Sequence, residues 1–143
     1  ELKKRAGELA ARLEENQINV KTELERVEKD RAVFKLDIRP ESCNPYGLIH
    51  GGAIYTLADN ATGAAAHSDG RYYVTQTSAL HFLRNQATGT VRASAWVRHR
   101  GKSTVLTAVD ITGEGGRLLA TGEFTFFCVD KALMDQKAAA EQK

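Results

Sequence analysis

The sequence has few of the residues that interrupt or cross-link a chain. It contains two prolines, 12 glycines and two cysteines among 143 residues. Because proline and glycine break regular structure, their scarcity predicts long helices and strands. Cys43 and Cys128 could pair, but in a reducing compartment we expect them to be free thiols.

Long apolar runs and a strong excess of one charge are also missing. No apolar stretch approaches the roughly 18–20 residues that span a bilayer, so we expect no membrane partner. The net charge is +2, from 20 basic and 18 acidic residues, which by itself does not indicate nucleic-acid binding. The first residues are polar and do not resemble a signal peptide, which predicts a cytoplasmic protein.

The residues that are present suit one globular domain. Hydrophobic residues make up 42% of the chain and charged residues 27%, as in ordinary folded domains. A chain of 143 residues is long enough for one substantial core and short for two. We therefore expect residues 1–143 to form a single domain.

Hydrophobic periodicity predicts an α+β fold. Helical spacing of apolar residues predicts an N-terminal helix over residues 1–16 and a second helix within residues 47–66. Alternating patterns predict six strands, of which the first two form a hairpin and the last four an antiparallel meander. Their expected ranges are 18–27, 31–38, 72–83, 90–100, 104–112 and 118–129. After residue 130 we expect a polar, frayed tail, residues 131–143.

The second helix is expected to be the centre of the fold. Its apolar residues recur at helical spacing, at Ile54, Leu57, Ala58, Ala61 and Ala65, and the remaining positions are mostly small. A helix that is apolar nearly all round is wrapped by other structure. A single sheet that wraps it leaves an outer face of mixed Thr, Ser, Val and Ala, which we expect to pack against another subunit.

Asp59 is the one carboxylate in this apolar helix. Burying an unpaired carboxylate costs several kcal/mol, so its presence needs a reason. It projects about 140° away from Ile54 at 100° per residue, off the apolar stripe. Its helical neighbours include Thr62 and Gly63, which leave room for a ligand. The alternative is a carboxylate that is hydrogen-bonded to backbone and only structural.

His50, Gly51 and Gly52 stand where this helix is expected to begin. Bare N–H groups at a helix start attract a carbonyl oxygen that is gaining negative charge. Gly51 and Asp59 are about 12 Å apart along the axis, so one helix cannot bring both to one carbon atom. A site shared between two subunits would do so. A tight turn is the alternative for the His-Gly-Gly sequence.

Residues 44–52, Asn-Pro-Tyr-Gly-Leu-Ile-His-Gly-Gly, and residues 57–61, Leu-Ala-Asp-Asn-Ala, resemble the signature of hotdog-fold thioesterases. The similar branch contains the phenylacetate-pathway (PaaI-like) enzymes and the acyl-CoA thioesterases of menaquinone synthesis. The resemblance extends over roughly residues 17–130. It implies an antiparallel sheet of about six strands around a central helix, and a homo-oligomer that is at least a dimer and is expected to be a dimer of dimers.

The resemblance also implies roles for individual residues. Gly51 would polarise the thioester carbonyl through its N–H, and Asp59 would attack the carbonyl carbon or activate water. Asn44 would position the water or the carbonyl, and His50 would help to hold the thioester end. Some relatives have Ser or Thr four residues after the carboxylate, where this chain has Gly63. The further expected substrate contacts are Gly52, Tyr55, Thr62, Arg84, Arg98, Arg100, Gly101, Lys102 and Ser103.

The expected CoA contacts include a basic turn. Arg98, Arg100 and Lys102 surround Gly101 between two predicted strands, and Arg84 ends the strand before. Arg and Lys at a glycine turn suit the phosphates of CoA, although a solvated turn is the alternative. A thioester has a good leaving group, so its hydrolysis needs no metal or cofactor, and we assign neither.

Three functions stay open at this point. The first is acyl-CoA hydrolysis, and the second is non-catalytic binding of acyl-CoA in the same place. The third is a hydratase or dehydratase acting on acyl thioesters, whose motifs, such as His-Phe-Pro, are absent. The sequence does not indicate which acyl group is bound, and only the basic turn favours CoA over acyl carrier protein.

Overall fold

The computed structural model describes residue 4 and residues 20–141. The predicted N-terminal helix, residues 1–16, falls almost entirely outside this part of the chain. Helix α1, Gly51–His67, lies between the second and third strands, and helix α2, Lys131–Glu141, follows the last strand. The strands are β1 (Glu23–Glu28), β2 (Arg31–Asp37), β3 (Tyr72–Phe82), β4 (Thr90–Arg100), β5 (Thr104–Thr112) and β6 (Leu118–Val129).

The six strands form one antiparallel sheet in the order β1-β2-β4-β5-β6-β3. Adjacent strands in the chain pair as hairpins at β1–β2, β4–β5 and β5–β6, as their short connections predicted. Strand β3 pairs with β6 and not with β4, so the predicted four-stranded meander is wrong at this strand. Periodicity indicates which residues form a strand, but it does not indicate the partner of that strand.

The connection from β3 to β4 crosses one end of the sheet. The N–H groups of Leu83 and Arg84 both donate to the carbonyl oxygen of Leu119 in β6, at 2.8 and 3.1 Å. At the far end of the connection, the carbonyl oxygen of Gly89 accepts from the N–H of Ile38 at 2.8 Å. Because these bonds satisfy backbone groups along the crossing, a short segment spans the sheet.

One face of the sheet packs against α1 and forms the core. The helix residues that recur at helical spacing, Ile54, Leu57, Ala58, Ala61 and Ala65, are at most 2% exposed. They meet inward-facing sheet residues that are fully buried, among them Val91, Val109 and Phe124. Burying a side chain of the size of Leu or Phe stabilises the fold by roughly 1.5–3 kcal/mol. The central helix is therefore held by the sheet, as the periodicity predicted.

Within one chain the sheet covers only one side of α1. Gly51, Gly52 and Tyr55 are exposed, and Asp59 and Gly63 are half-buried. The uncovered side of α1 also has few polar residues, and several of its residues are glycine. The expectation of complete wrapping is therefore met on one side of the helix only, and the predicted site residues Gly51, Gly52, Tyr55 and Asp59 lie on the other.

The predicted frayed tail is also corrected by the structure. Residues Lys131–Glu141 form helix α2. Alanine, leucine, lysine, glutamine and glutamate dominate this segment, and all of them favour helix strongly. Among the described helices, none combines the length and the apolar composition that crossing a bilayer requires.

Candidate active site

The start of α1 has one open backbone donor. His50 is the N-cap residue, and its ring Nδ1 accepts a hydrogen bond from the Gly52 N–H at 2.8 Å. The N–H groups of Ala53 and Ile54 donate to the His50 carbonyl oxygen at 2.9 and 3.2 Å. The Gly51 N–H has no acceptor among residues 20–141. Of the two predicted glycine donors, Gly51 is thus open and Gly52 is already bonded.

Asn44 lies in a tight loop that fixes the orientation of its amide. Its Oδ1 accepts from the N–H groups of Tyr46 and Leu48 at 2.9 and 3.2 Å. Both partners are donors, so this atom of the amide must be the oxygen. Gly47 closes the loop with a φ of +78°, a conformation that favours glycine. The amide NH2 of Asn44 has no hydrogen-bond partner among the described residues.

Backbone contacts hold this loop against the start of α1. Cys43 and Ile49 pair as an isolated antiparallel bridge. The His50 N–H donates to the Ser42 carbonyl oxygen at 2.9 Å, and the Ile49 N–H donates to the carbonyl oxygen of Gln86 at 2.9 Å. The fold therefore brings the predicted residues Asn44, His50 and Gly51 together at one end of the helix.

Asp59 lies two turns further along the open side of α1. Its Oδ1 accepts a hydrogen bond from the hydroxyl of Thr75 in β3 at 2.8 Å. Its Oδ2 has no hydrogen-bond partner, and the side chain has no ion pair, within the part of the chain that is described. A carboxylate with one fixed oxygen and one open oxygen can act as a nucleophile or as a general base.

Nothing in the sequence pointed to Thr75. It reaches Asp59 because β3 runs beside α1 and because the register of β3 against β6 shifts between Thr75 and Thr77. Such a bulge turns a side chain towards a new direction. A serine or threonine in a strand is common, so only the long-range pairing of β3 makes this one recognisable.

Further contacts line up β3 with the open side of α1. The hydroxyls of Tyr55 and Ser78 are hydrogen-bonded, and the Tyr55 ring lies 5.3 Å from the ring of Phe124. The Phe82 ring lies over Gly51, at 3.7 Å from the place that a Cβ would occupy. We call this region the α1–β3 surface, which consists of Gly51, Tyr55, Asp59, Gly63, Thr75, Ser78 and Phe82.

Thr62 is not part of the α1–β3 surface. It is fully buried, and its hydroxyl donates to the Ala58 carbonyl oxygen at 2.8 Å. Thr62 is a helical neighbour of Asp59, three residues further along, but its side chain lies on the buried side of α1. Of the two residues expected to contact substrate beside Asp59, Tyr55 lies on the open side and Thr62 lies inside.

Arg100 belongs to a network that secures the end of α1. It donates to Asp30 and Asp69 at 2.8 and 2.7 Å and to the carbonyl oxygens of Ala65 and Ala66 at 3.2 and 2.9 Å. Its side chain is 19% exposed. The two aspartates balance the positive charge of Arg100, and the hydrogen bonds hold its side chain in place. Arg100 therefore has little freedom to bind a phosphate of CoA, which is the role predicted from the sequence.

Asp69 is the less exposed of the two acids in that network. Burial raises its pKa, but the hydrogen bonds from Tyr73 and Arg71 and the charge of Arg100 outweigh burial and hold the pKa of Asp69 well below its usual range. Asp69 is therefore ionised at neutral pH, which keeps the network charged and paired.

The predicted basic turn is also largely occupied. Arg98 pairs with Glu123 at 3.0 Å, and Arg71 donates to the carbonyl oxygens of Lys102 and Gly101 at 2.8 and 3.2 Å. Ser103 accepts from the Cys128 N–H at 2.7 Å through its carbonyl oxygen.

Two of the predicted cations, Arg84 and Lys102, are exposed and have no ion pair among the described residues. Arg84 follows β3, and Lys102 lies beside Arg71, which precedes β3. Eleven residues of extended chain span roughly 30 Å. The structure therefore does not bring Arg84 and Lys102 together within one chain. Across residues 4 and 20–141, no three His, Cys, Asp or Glu side chains are placed to hold a metal ion.

A six-stranded antiparallel sheet packed around one helix defines a hotdog-fold protein. Residues 46–120 match the family model described as the thioesterase superfamily. The chain is 34% identical over 107 residues to the 1,4-dihydroxy-2-naphthoyl-CoA hydrolase of Listeria monocytogenes, with 72% of this chain and 86% of that one covered. It is 32% identical over 90 residues to the acyl-coenzyme A thioesterase PaaI of Escherichia coli, with 62% and 64% covered.

Solved structures agree with this assignment. A hypothetical thioesterase from Streptococcus pneumoniae with coenzyme A superimposes with a TM-score of 0.75 at 29% identity, covering 78% of this chain and 93% of that one. A Streptococcus mutans protein bound to acetyl CoA gives 0.74 at 29% identity, covering 80% and 95%. The chain belongs to the thioesterase superfamily, in the PaaI-like and menaquinone-type branch, which confirms the fold and family predicted from residues 44–61.

Proposed function

We propose that this protein hydrolyses acyl-CoA thioesters to a free acid and CoA, at a site shared between two copies of the chain. The observation that carries the proposal is Asp59, a carboxylate with one oxygen bonded to Thr75 and the other open on the α1–β3 surface. Two similar proteins are named as a CoA hydrolase and an acyl-CoA thioesterase, and two similar structures hold CoA or acetyl CoA.

The length of α1 is the reason for two copies. Gly51 and Asp59 lie about 12 Å apart along the axis at 1.5 Å per residue. A reacting carbon has to lie about 3 Å from the nucleophile while its oxygen meets the donors. A two-fold partner whose α1 runs antiparallel would bring its Gly51 beside Asp59. Each dimer would then have two equivalent sites.

Strand β3 is the surface that we propose for this contact. It stands at the edge of the sheet, so its second side has no strand partner among residues 20–141. It is 11 residues long and exposes Val74 and Phe82, which are 39% and 52% exposed. A long edge strand without charged residues is a template for pairing with another chain. A further contact through the outer face of the sheet would give a dimer of dimers.

The start of α1 would supply the oxyanion site. The Gly51 N–H and the NH2 of Asn44, both without an acceptor among the described residues, are two donors at the same end of the helix. Because Oδ1 of Asn44 is occupied, we assign Asn44 to the thioester carbonyl and not to the water. His50 would act by holding the Gly52 N–H and so fixing the first turn. One donor of this kind is typically worth about 3 kcal/mol of barrier.

The open oxygen of Asp59 would carry out the chemistry in one of two ways. It attacks the thioester carbon and expels CoA thiolate, which leaves a mixed anhydride that water then hydrolyses. Alternatively, it accepts a proton from a water molecule that attacks the same carbon. Label found in Asp59 after a single turnover in 18O-labelled water identifies the anhydride path, because the label enters Asp59 only when the anhydride forms and water attacks its Asp59 carbon. Label found only in the product acid fits water attack on the acyl carbon in either path.

Binding of the CoA phosphates is assigned to the two exposed cations without ion pairs. Arg84 follows Phe82, which lies over Gly51, so it stands near the proposed oxyanion site. Lys102 is close to the opposite end of α1. In a two-fold dimer the end of one α1 lies beside the start of the other, so Lys102 of one copy and Arg84 of the other could serve one CoA.

The test removes the negative charge of the Asp59 side chain and keeps the size of that side chain. Asp59→Asn should lower kcat for thiol release by about a thousandfold or more while the protein still binds CoA, because only the reactive oxygen is lost. Asp135→Asn, an exposed aspartate in α2, removes the same charge and should stay within about twofold of the wild type. A binding protein without catalysis would show no thiol release in the wild type from any acyl-CoA of an aryl, short, medium and long panel.

A further inference from the structure

His67, the last residue of α1, joins the helix to the edge strand β3 through both nitrogen atoms of its ring. Its Nδ1 is bonded to the carbonyl oxygen of Gly63 at 2.7 Å, and its Nε2 accepts the N–H of Tyr73 at 3.2 Å. A carbonyl oxygen can only accept a hydrogen bond, and a backbone N–H can only donate one. The proton of the ring therefore lies on Nδ1, and Nε2 carries none.

The Tyr73 N–H lies on the open side of β3, away from β6. Tyr73 is directly opposite Cys128 in the pairing of β3 with β6, but the Cys128 N–H donates to the carbonyl oxygen of Ser103, before β5, at 2.7 Å. Tyr73 and Cys128 are therefore a pair that exchanges no backbone hydrogen bonds, and the N–H groups of such a pair point away from each other's strand. His67 thus supplies an acceptor that the edge of a sheet lacks.

This bridge lies beside the hydrogen bond between Asp59 and Thr75. Gly63 follows Asp59 by one helical turn, about 5.4 Å, and Tyr73 precedes Thr75 by two residues, about 7 Å of strand. The bond between Asp59 and Thr75 joins two side chains, so it forms only where their backbones are correctly spaced. Both partners of the His67 ring are backbone atoms. Because an imidazole ring is rigid, the bridge fixes the separation of α1 and β3 at this point.

The neighbouring charged network does not fix the same separation. Arg100 and Asp69 contact Tyr73 through its hydroxyl, so they hold the side chain of Tyr73 and not its backbone N–H. Arg100 also holds two carbonyl oxygens in the last turn of α1. His67 itself is exposed and buries little surface. This end of the fold therefore has support of its own, and we expect variants of His67 to fold.

We propose that His67 is a positioning residue for the reaction, whose ring sets the distance between α1 and β3 and so keeps the Asp59 carboxylate bonded to Thr75. The inference rests on the proposed function, because it presumes that Asp59 carries the chemistry. His67 does not touch the reacting atoms, since both of its nitrogen atoms are bonded and it lies a little over two helical turns beyond Asp59. A displacement of about 1 Å in an active site can lower a rate by about a hundredfold.

The test compares His67→Phe with His67→Gln on one acyl-CoA that the wild type hydrolyses. Phenylalanine keeps a ring beside Tyr73, whose ring centre lies 5.5 Å from that of His67, but removes both hydrogen bonds. The kcat of His67→Phe should fall about tenfold or more with KM within about twofold, because substrate still binds while the carboxylate is misplaced. Glutamine offers an N–H and a carbonyl oxygen on one amide, so His67→Gln should be at least about threefold faster than His67→Phe.

His99→Phe is the matched control. His99 is an exposed histidine of β4 without a hydrogen bond among the described residues. The same substitution there should leave kcat and KM within about twofold of the wild type. A loss confined to His67→Phe is then due to the place of His67 and not to the loss of a histidine.

A spectroscopic measurement tests the bridge without relying on activity or on a variant. In the 15N-labelled wild type, NMR of the ring nitrogen atoms at neutral pH should show His67 with Nδ1 protonated and Nε2 unprotonated, because the two backbone partners allow only this tautomer. This measurement decides whether the bridge exists even when a substitution at His67 prevents folding.

Three results would overturn the inference. The first is a His67 ring with its proton on Nε2, and the second is a His67→Phe variant with the wild-type kcat. The third is a rise in KM at unchanged kcat, because substrate binding and not placement of the carboxylate would then depend on His67. A wild type that releases no thiol from the acyl-CoA panel refutes the proposed function itself, and the tautomer of His67 then still shows whether α1 and β3 are bridged.

Discussion

The two oxygens of the Asp59 carboxylate have different surroundings. Oδ1 accepts from the hydroxyl of Thr75, whereas Oδ2 has no partner within residues 20–141. A hydrogen bond fixes the plane of a carboxylate and occupies a lone pair of the bonded oxygen. We therefore assign the reactive role to Oδ2 and a positioning role to Thr75, which does not itself touch the reacting atoms.

Thr75→Val should preserve the shape of the side chain while removing the hydrogen bond. Because a misoriented carboxylate loses its approach to the thioester carbon, kcat should fall roughly tenfold to hundredfold with KM within about twofold. Thr75→Ser retains the hydroxyl and should recover most of the rate. Steady-state kinetics on one acyl-CoA measure both. A valine variant that keeps the wild-type rate would contradict a positioning role of the hydroxyl.

Residues differ in how far the sequence could predict their place. Asp59 was recognisable because a lone carboxylate in an apolar helix is unusual, and Gly51 because it follows a helix start. Thr75 could not be found, because its contact depends on a bulge and on a pairing between distant segments. For Thr62 and Arg100, residue type and spacing suggested a ligand contact, but packing decides which way each side chain faces.

Both ends of α1 are held by side chains from outside the helix. At its start His50 bonds the Gly52 N–H, and at its end Arg100 in β4 bonds two carbonyl oxygens and two aspartates. The free donors and acceptors of a helix end need such partners. The position of Asp59 along the α1–β3 surface thus depends on one contact within the candidate site, at His50, and on others at the far end of the helix, at Arg100.

Arg100→Met should destabilise the fold by about 2–3 kcal/mol, because it removes one of the two cations that pair with the largely buried Asp69 and the Arg100 donor of the Ala66 carbonyl oxygen. The figure is set below the range for fully buried pairs, since Asp30 in the same network is partly exposed. Arg98→Met is the matched control. Its pair with Glu123 is about half-exposed, so the loss should be within about 0.5 kcal/mol. Urea denaturation gives both values, and similar losses would contradict the structural role of Arg100.

The sequence predicted the ranges of the later strands better than it predicted which strands pair. The last four strands agree with the predicted ranges within one residue, because alternation and short glycine turns are local features. The meander was wrong because the pairing of β3 with β6 depends on wrapping around α1. The tail forms helix α2 because its residues favour helix strongly, although the segment lacks a clear apolar pattern.

For the molecule as a whole, a shared site makes a prediction about mixed dimers. Asp59→Asn lacks the reactive carboxylate, and Asn44→Ala lacks an oxyanion donor, so each variant alone should be nearly inactive. In a mixed dimer, Asp59 of the Asn44→Ala copy meets the intact donors of the Asp59→Asn copy. Random exchange of equal amounts gives half mixed dimers with one working site each, so about a quarter of the wild-type rate should return.

The measurement is thiol release after the two variants are denatured and refolded together. Refolding each variant alone is the control for spontaneous recovery. If mixing restores no activity although light scattering shows oligomers, the site lies within one chain, and the proposed pairing through β3 is wrong.

The pairing of Tyr72 with Val129 and of Phe82 with Ala120 has a consequence for synthesis on the ribosome. Strand β3 leaves the exit tunnel well before β6, its sole neighbour in the described sheet. Until β6 has been made, β3 has no strand to pair with, so it cannot be held in place beside α1 and Asp59. The proposed site is therefore completed only after β6 has been made, and we expect a ribosome stalled before residue 118 to hold a nascent chain without the proposed activity.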